Sequence, residues 1–398
     1  MPGSVGRMDS AELREVLTPE GLRLLDEVGP IDSRTDIVST VARLRKAGHP
    51  AGRVAAVLGQ ARLRAKARVK FGDFAHRMLF TPEGLEQATR LRVASVHAGR
   101  FAGAGIDVVA DLGCGIGADS LALAALELGV VAVERDEVTA ALAAYNLAPF
   151  ASARVEHGDA TEADLAGVGG LWIDPARRSG TTRHSDPDDW SPSLDWAFAR
   201  ARELPTGIKL APGLDRDLIP AEVEAQWISA DHEVVELVLW SGALARPDVR
   251  RAALVLGAHG AAELVAAADS ADAEVRALGE FLVEPDGAVI RARLIGDLAR
   301  AIDGGMIDET IAWITTDTAP ETPFGQVFQV RERFPLDAKR LKRELAARAI
   351  GTLEIKKRGV DIDPAAFRVK LALKGSESAT LIITRVAGER VAILADRV

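Results

Sequence analysis

The stretch Val108-Val-Ala-Asp111-Leu-Gly113-Cys-Gly115-Ile-Gly117-Ala-Asp119-Ser120 decides how the rest of the chain is read. Apolar residues run up to a single acid, which predicts a buried strand ending at Asp111. Three glycines at alternate positions follow, and a helix is expected to begin near Ala118. Glycine supplies backbone conformations that a Cβ would block, and it lets the main chain pass close to a ligand. The spacing is Asp-x-Gly-x-Gly-x-Gly, which differs from the G-x-G-x-x-G of dinucleotide sites.

Two further acids stand where such a ligand would need them. Glu134 ends the next strand-like run, Val130-Val-Ala-Val-Glu134, about twenty residues after the glycines. An acid there can accept both hydroxyls of a ribose. Asp159, in Glu156-His-Gly-Asp159-Ala, follows a third strand and is expected to accept from an adenine amino group. Strands are predicted at 107–112, 130–134, 153–157, 171–174, 206–210, 233–239 and 252–257. Alanine-rich helical stretches separate the earlier ones, which is the βαβ pattern of a parallel sheet. The segment between 239 and 252 is too short for a crossover helix, so the last two strands are expected to pair antiparallel.

Residues 1–95 read as a helical region. The fragment Thr-Pro-Glu-Gly-Leu occurs at Thr18 and again at Thr81. Each copy carries a helix-start signature, with Thr as N-cap, Pro in the first turn and Glu near the positive helix end. Between them Val54, Val57, Leu58 and Leu63 form a partial apolar stripe. The central domain is set at 96–257, followed by an alanine- and acid-rich connector at 258–323. Residues 324–398 read as a small α+β module. It has strand-like 326–330 and 367–373, a basic helix over 337–348, and a final pair at 380–385 and 390–394 turning at Val386-Ala-Gly-Glu389.

Composition narrows the function. The one cysteine, Cys114, rules out an internal disulfide, a cysteine zinc site and a cysteine nucleophile outside the glycine loop. No run of eighteen apolar residues exists, and no apolar stretch follows Arg7. Neither a membrane span nor a secretory signal is therefore expected, and a cytoplasmic protein is. His76, His184 and His232 show no metal-ligand spacing, so no metal is expected. The net charge is −9, yet 43–70 holds nine Lys/Arg and no acid, and 331–358 holds ten against four acids. Two basic blocks on an acidic body suit a phosphate-binding surface.

Residues 105–257 resemble class I S-adenosylmethionine-dependent methyltransferases, a Rossmann-like α/β fold with a seven-stranded sheet. The likeness runs through the 111–117 loop, Glu134, Asp159 and Asp174-Pro175. The approach Phe74-Ala-His-Arg-Met-Leu-Phe-Thr-Pro-Glu-Gly-Leu85 is similar to the segment ahead of the fold in trimethylguanosine-synthase-like enzymes. The whole layout resembles bacterial, especially actinobacterial, methyltransferases with a C-terminal THUMP-like domain. THUMP domains accompany RNA-modifying enzymes, so the resemblance implies an RNA substrate, tRNA or rRNA. It also implies S-adenosyl-L-methionine bound by Asp111, Gly113, Gly115, Gly117, Glu134 and Asp159.

Strand four ends Leu171-Trp172-Ile173-Asp174-Pro175-Ala176-Arg177-Arg178. Base N-methyltransferases carry Asp/Asn/Ser-Pro-Pro-aromatic here, where acid and carbonyl receive an exocyclic amine and the aromatic stacks on the base. Asp174 and Pro175 fit, whereas Ala176 and Arg177 replace the proline and the aromatic. Trp172 is read as sheet packing. Ribose 2′-O-methylation stays open, because Asp174, Lys209 and Glu236 follow one another on successive strands as in a Lys-Asp-Lys-Glu set, with distant Lys70 as a first lysine. A lysine among carboxylates would steer proton removal from a hydroxyl. Asp174, Pro175 and Lys209 are thus the expected catalytic residues. Arg177 and Arg178, with Arg183, and Lys356, Lys357 and Arg358 are the expected substrate contacts. A small-molecule or protein methyltransferase is the rival enzyme, and an RNA-binding pseudoenzyme is the rival without catalysis.

Overall fold

The computed structural model describes residues 10–31, 33–176, 178–179, 182–183, 189–258 and 260–398. The chain forms two units, one up to Leu210 with Leu239–Ala245, the other Ala211–Val238 with Arg246–Val398.

The first unit begins with helices α1 (Ser10–Val16), α2 (Pro19–Val28), α3 (Arg34–Lys46), α4 (Ala51–Phe71), α5 (Pro82–Gln87) and α6 (Leu91–Gly103). Both Thr-Pro-Glu-Gly-Leu fragments start helices: Thr18 and Thr81 hydroxyls accept from the Gly21 and Gly84 N–H groups, each at 2.9 Å. Helix α4 sinks Val54, Val57, Leu58 and Ala61 among Leu13, Val16, Leu24 and Leu25. Burying each valine or leucine stabilises by about 1.5–3 kcal/mol. Its opposite face leaves Arg62, Lys66 and Arg68 exposed.

Next come β1 (Val108–Leu112), α7 (Ala118–Ala125), β2 (Gly129–Glu134), α8 (Glu137–Leu147), β3 (Ala153–His157) and β4 (Gly170–Ile173). A short ribbon of β5 (Arg178–Ser179) and β6 (Thr182–Arg183) precedes α9 (Leu194–Ala201) and β7 (Thr206–Leu210). The order β3-β2-β1-β4-β7 is parallel throughout, so the carboxyl ends of these strands share one edge. Trp172 of β4 is 1% exposed, with ring centroids 4.3 Å from His97 and 5.7 Å from Trp240. It is sheet packing, as read from the sequence. Gly207 makes room for it, since a Cβ there would lie 2.6 Å from Trp240 and 2.7 Å from Trp172.

The second unit contains β8 (Glu224–Ala230), β9 (Glu233–Trp240, whose last two residues count with the first unit), β10 (Arg251–Gly257) and β11 (Gly260–Ala266). The expected pairing of the last two predicted strands is corrected here. β9 forms its hairpin with β8, which the sequence reading passed over, and β10 pairs with β8 in parallel. The hairpin turn is Asp231-His232, with φ of 52° and 67°, the two positive dihedrals that a two-residue turn demands. Glu224 and Gln226 disguised β8 as polar. Both are buried: Arg246 holds Glu224 at 2.6 Å, and Glu263 of β11 accepts from Gln226. In the second unit β10 thus runs parallel to β8 and antiparallel to β11.

A second sheet has the order β13-β14-β12-β15-β18-β17-β16. In chain order its parts are β12 (Phe281–Pro285), α10 (Gly287–Arg291), α11 (Ile295–Ala301), β13 (Gly305–Met306), β14 (Ile314–Thr316), β15 (Gly325–Pro335), α12 (Ala338–Ala347), β16 (Ile350–Lys357), α13 (Pro364–Leu371), β17 (Glu377–Val386) and β18 (Glu389–Arg397). Residues 258–323, read as a connector, therefore supply β11 to one sheet and β12, β13 and β14 to the other. The strand expected at 367–373 is instead α13, because Asp363 caps it through the Ala366 N–H and Pro364 opens its first turn. That helix joins β16 to β17, which run parallel and so need a crossover. The hairpin β17–β18 turns at Ala387-Gly388, with φ of 48° and 82°. Among the described residues no helix is long and apolar enough to cross a membrane.

Candidate active site

The glycine loop sits at the carboxyl edge of β1, between β2 and β4. Its Gly113 and Cys114 N–H groups donate to the Val133 carbonyl, at 3.0 and 3.1 Å. Gly113 has φ of +90°, and a Cβ there would lie 2.8 Å from the Asp174 carbonyl oxygen. The first glycine therefore lets the loop touch the end of β4. A Cβ on Gly115 would meet no protein atom within 4 Å, so this glycine faces open space. Gly117, at φ +84°, closes the loop and precedes the first turn of α7.

Glu134 ends β2 and reaches back to the loop. Its carboxylate accepts from the Gly115 N–H at 3.0 Å and the Asp136 N–H at 2.8 Å. Burial pushes this carboxyl up, and those two N–H groups pull against the shift. Asp159 lies past β3, where its carboxylate takes the hydroxyl and N–H of Thr161, which hold it below the ordinary value. Open space over Gly115 and an acid at the end of β2 fit the nucleoside of S-adenosylmethionine.

Asp111 is 1% exposed and accepts from the Ser120 hydroxyl at 2.5 Å. Burial, reinforced by the neighbouring Asp119 charge, pushes its carboxyl up to about 8. Asp119, in the first turn of α7, behaves oppositely. Burial alone would raise it, but the hydrogen bond and charge of His97, with Lys209 and Thr89, hold it below its ordinary value. It accepts from Thr89 Oγ1 at 2.6 Å and pairs with His97 Nδ1 at 2.8 Å.

At the end of β4, Asp174 Oδ2 accepts from Lys209 Nζ at 2.6 Å. Lys209 also donates to Thr89 Oγ1 at 3.0 Å. The Lys209 side chain is 13% exposed and that of Asp174 34%, so the carboxylate is the more open member of the pair. Pro175 is buried and Ala176 exposed. Ala176 and Ser191 exchange backbone hydrogen bonds at 2.8 and 3.1 Å.

Lys70, Lys356 and Arg358 have partners of their own. Lys70 donates to the carbonyls of Leu85, Glu86 and Ala88 at the end of α5, so it does not serve as a first lysine beside Asp174. Glu236 is buried in β9, within the second unit. Arg177 and His184 lie outside the described residues, and Arg178 and Arg183 are described as backbone of β5 and β6. Lys356 Nζ is 2.6 Å from Glu284 and Arg358 is 3.7 Å from the same carboxylate, while Lys357 is exposed. Among the described residues no group of three or more His, Cys, Asp or Glu is arranged to hold a metal.

Sequence reasoning gave no role to Thr89, His97, Asp119, Gln60 or Asn146. Asp119 was visible inside the quoted motif. Thr89 and His97 carry no local signal, because their partners lie 30 and 22 residues away. Asn146 of α8 receives the Leu79 N–H at 2.8 Å and donates to the Leu79 and Ile116 carbonyls. Gln60 and Phe80 exchange a reciprocal pair of bonds at 2.7 and 3.0 Å. These two amides fasten the segment before α5 to the glycine loop and to α4.

A parallel sheet with a glycine loop after β1, an acid after β2 and Asp-Pro after β4 defines an S-adenosylmethionine-dependent methyltransferase. Two Mycobacterium tuberculosis proteins, from strains CDC 1551 / Oshkosh and H37Rv, are both described as uncharacterized S-adenosylmethionine-dependent methyltransferases. Each is 35% identical over 341 residues, 81% of this chain and 90% of the relative. The chain belongs to their family, and it is an S-adenosylmethionine-dependent methyltransferase. Residues 325–397 match the THUMP domain-like family, and 9–67 match a domain of unknown function, DUF8688. The crystal structure of a protein from Porphyromonas gingivalis W83, assigned as a methyltransferase, shares the fold. It has a TM-score of 0.70 and 19% identity, covering 92% of this chain and 99% of that one.

Proposed function

We propose that the chain methylates RNA, tRNA or rRNA, with a base nitrogen as the favoured acceptor and Asp174 as the group that receives its hydrogen. The observation that carries the RNA reading is the THUMP-like module with its basic helix. On α12, Lys339, Arg340 and Lys342 are exposed beside Arg343 on a family match that accompanies RNA-modifying enzymes. Such a face is suited to backbone phosphates.

When bound, S-adenosylmethionine supplies an electrophilic methyl group on a sulfonium. In this reading Asp111, Gly113, Gly115, Gly117, Glu134 and Asp159 hold the cofactor. Asp174 and Pro175 orient the acceptor, and Lys209 holds the Asp174 carboxylate in place. The arginines at 177 and 178, with Lys357, contribute phosphate contacts, and Lys356 and Arg358 stay tied to Glu284. Ribose 2′-O transfer is the second reading, favoured by the 2.6 Å Lys209–Asp174 pair.

Transfer from labelled cofactor into separate RNA, protein and metabolite fractions tests the substrate class, and label confined to metabolites or protein sinks the RNA reading. Asp174→Ala is expected to lower turnover by about a hundredfold, the scale of a lost positioning or proton-accepting group, with cofactor affinity within a few fold. Lys209→Ala separates the chemistries. A loss as deep as that of Asp174→Ala supports the ribose hydroxyl, and a mild effect supports the base nitrogen.

A further inference from the structure

A hydroxyl with one hydrogen fixes the direction of the hydrogen bonds around Lys209. Asp119 is held ionised, so it can only accept. Thr89 therefore gives its single hydrogen to Asp119 Oδ2, 2.6 Å away, and His97 must carry hydrogen on Nδ1 to reach Oδ1. With its hydrogen spent, Thr89 Oγ1 has lone pairs to offer. Lys209 Nζ, 3.0 Å away, supplies the hydrogen that meets them while another points to Asp174 Oδ2. The chain of donors thus runs one way, from the ammonium through Thr89 to Asp119.

We infer that Thr89, oriented by the Asp119–His97 pair, is the positioning residue that locks Lys209 as a charged donor to Asp174. Lys209 is then not the proton acceptor in the reaction, and that task falls to Asp174. Polar groups bonded to Lys209 directly or at one remove, or acting on it through charge, come from several elements of the first unit. They are Asp174 after β4, Asp119 on α7 through Thr89, and the Asp111 carboxyl of β1, with His97 on α6 behind Asp119. The arrangement spans Thr89, before α6, to Lys209 on β7, 120 residues later, so it survives only in the assembled fold. This inference rests on the reading of Asp174 and Lys209 as the catalytic pair, but its first test does not.

The full-length chain, labelled with nitrogen-15 lysine, is examined by NMR for a slowly exchanging ammonium signal, assigned to Lys209 by its loss in Lys209→Gln. Thr89→Val is expected to abolish the signal and Thr89→Ser to keep it. Asp119→Asn provides a second route should Thr89→Val fold poorly. Its amide can donate to Thr89, turn the hydroxyl hydrogen toward Lys209, and so remove the acceptor. In methyl transfer to a pool of unmodified transcripts, Thr89→Val is expected to lower kcat to the same extent as Lys209→Ala, with KM for both substrates within a few fold and activity restored in Thr89→Ser. A Lys209 signal that persists in both Thr89→Val and Asp119→Asn overturns the inference whatever the activity. A signal lost as expected, in a protein that methylates no RNA, upholds the inference and overturns the substrate reading.

Discussion

Asp111 and Asp119 lie eight positions apart, are both buried, and titrate in opposite directions. The difference is in their donors, since Asp111 has a neutral serine hydroxyl and Asp119 has His97 and Thr89. For Asp111 the folded value of about 8 stands above the unfolded carboxylate value of about 4. The folded protein therefore keeps a proton that the unfolded chain releases. The stability this confers is complete below about pH 4 and is lost as pH rises toward 8. Urea unfolding at pH 5 and pH 8 should show the loss in the wild type and a smaller one in Asp111→Asn. Cofactor binding should couple to the same proton, because the ammonium and sulfonium of S-adenosylmethionine favour an ionised Asp111. Calorimetry at pH 7 in buffers of different ionisation enthalpy should report proton release that Asp111→Asn abolishes. Equal heats in all buffers would detach Asp111 from the cofactor.

At the scale of elements, the segment between α4 and α5 is held by amides as well as by its buried Met78, Leu79 and Phe80. Gly84 packs so closely on Ile116 that a Cβ would come within 2.5 Å of its Cγ2, and Asn146 binds Leu79 and Ile116 at once. Asn146→Ala strands buried backbone groups at a cost of about 1–3 kcal/mol each. Urea denaturation should show a loss of that size, and cofactor affinity should weaken through the displaced loop. An unchanged midpoint would mean that water or a shifted backbone satisfies those groups. The same elements show where sequence is legible. The strand–glycine–helix unit, both Thr-Pro starts and the last hairpin were readable, because each rests on contacts a few residues apart. β8 was not, since its glutamate and glutamine are neutralised by Arg246 and Glu263 from later in the chain. For the site, glycines and acids at strand ends could be read locally, but the Thr89–Asp119–His97 cluster depends on long-range packing.

For the whole molecule, charge count and available charge diverge. Of the basic block at 331–358, Arg331 pairs with Asp396, Arg333 with Glu389, Arg348 with Glu332, and Lys356 with Glu284. In the N-terminal block Arg53 is taken by Glu15 and Glu20, and Arg64 by Asp26 and the Met78 carbonyl. Lys339, Arg340 and Lys342 of α12 stay outward, as do Arg62, Lys66 and Arg68 of α4. If RNA lies on α12, replacing Lys339, Arg340 and Lys342 with Gln should flatten the dependence of affinity on salt by about 0.7–0.9 per lost contact. Replacing Lys356 and Arg358 should flatten it less and destabilise the sheet more, because Glu284 is left without partners. Equal slopes for the two variants, measured by filter binding from 50 to 300 mM salt, would remove α12 from the interface.

The chain crosses between its two units three times, after Leu210, Val238 and Ala245. A recombination breakpoint between 238 and 239 would cut β9 two residues before its end, one after Leu210 would strand 239–245 of the first unit, and one after Ala245 would strand 211–238 of the second. No single splice can lend one unit to another gene. Whatever each half contributes, a lineage must inherit the pair as one indivisible block.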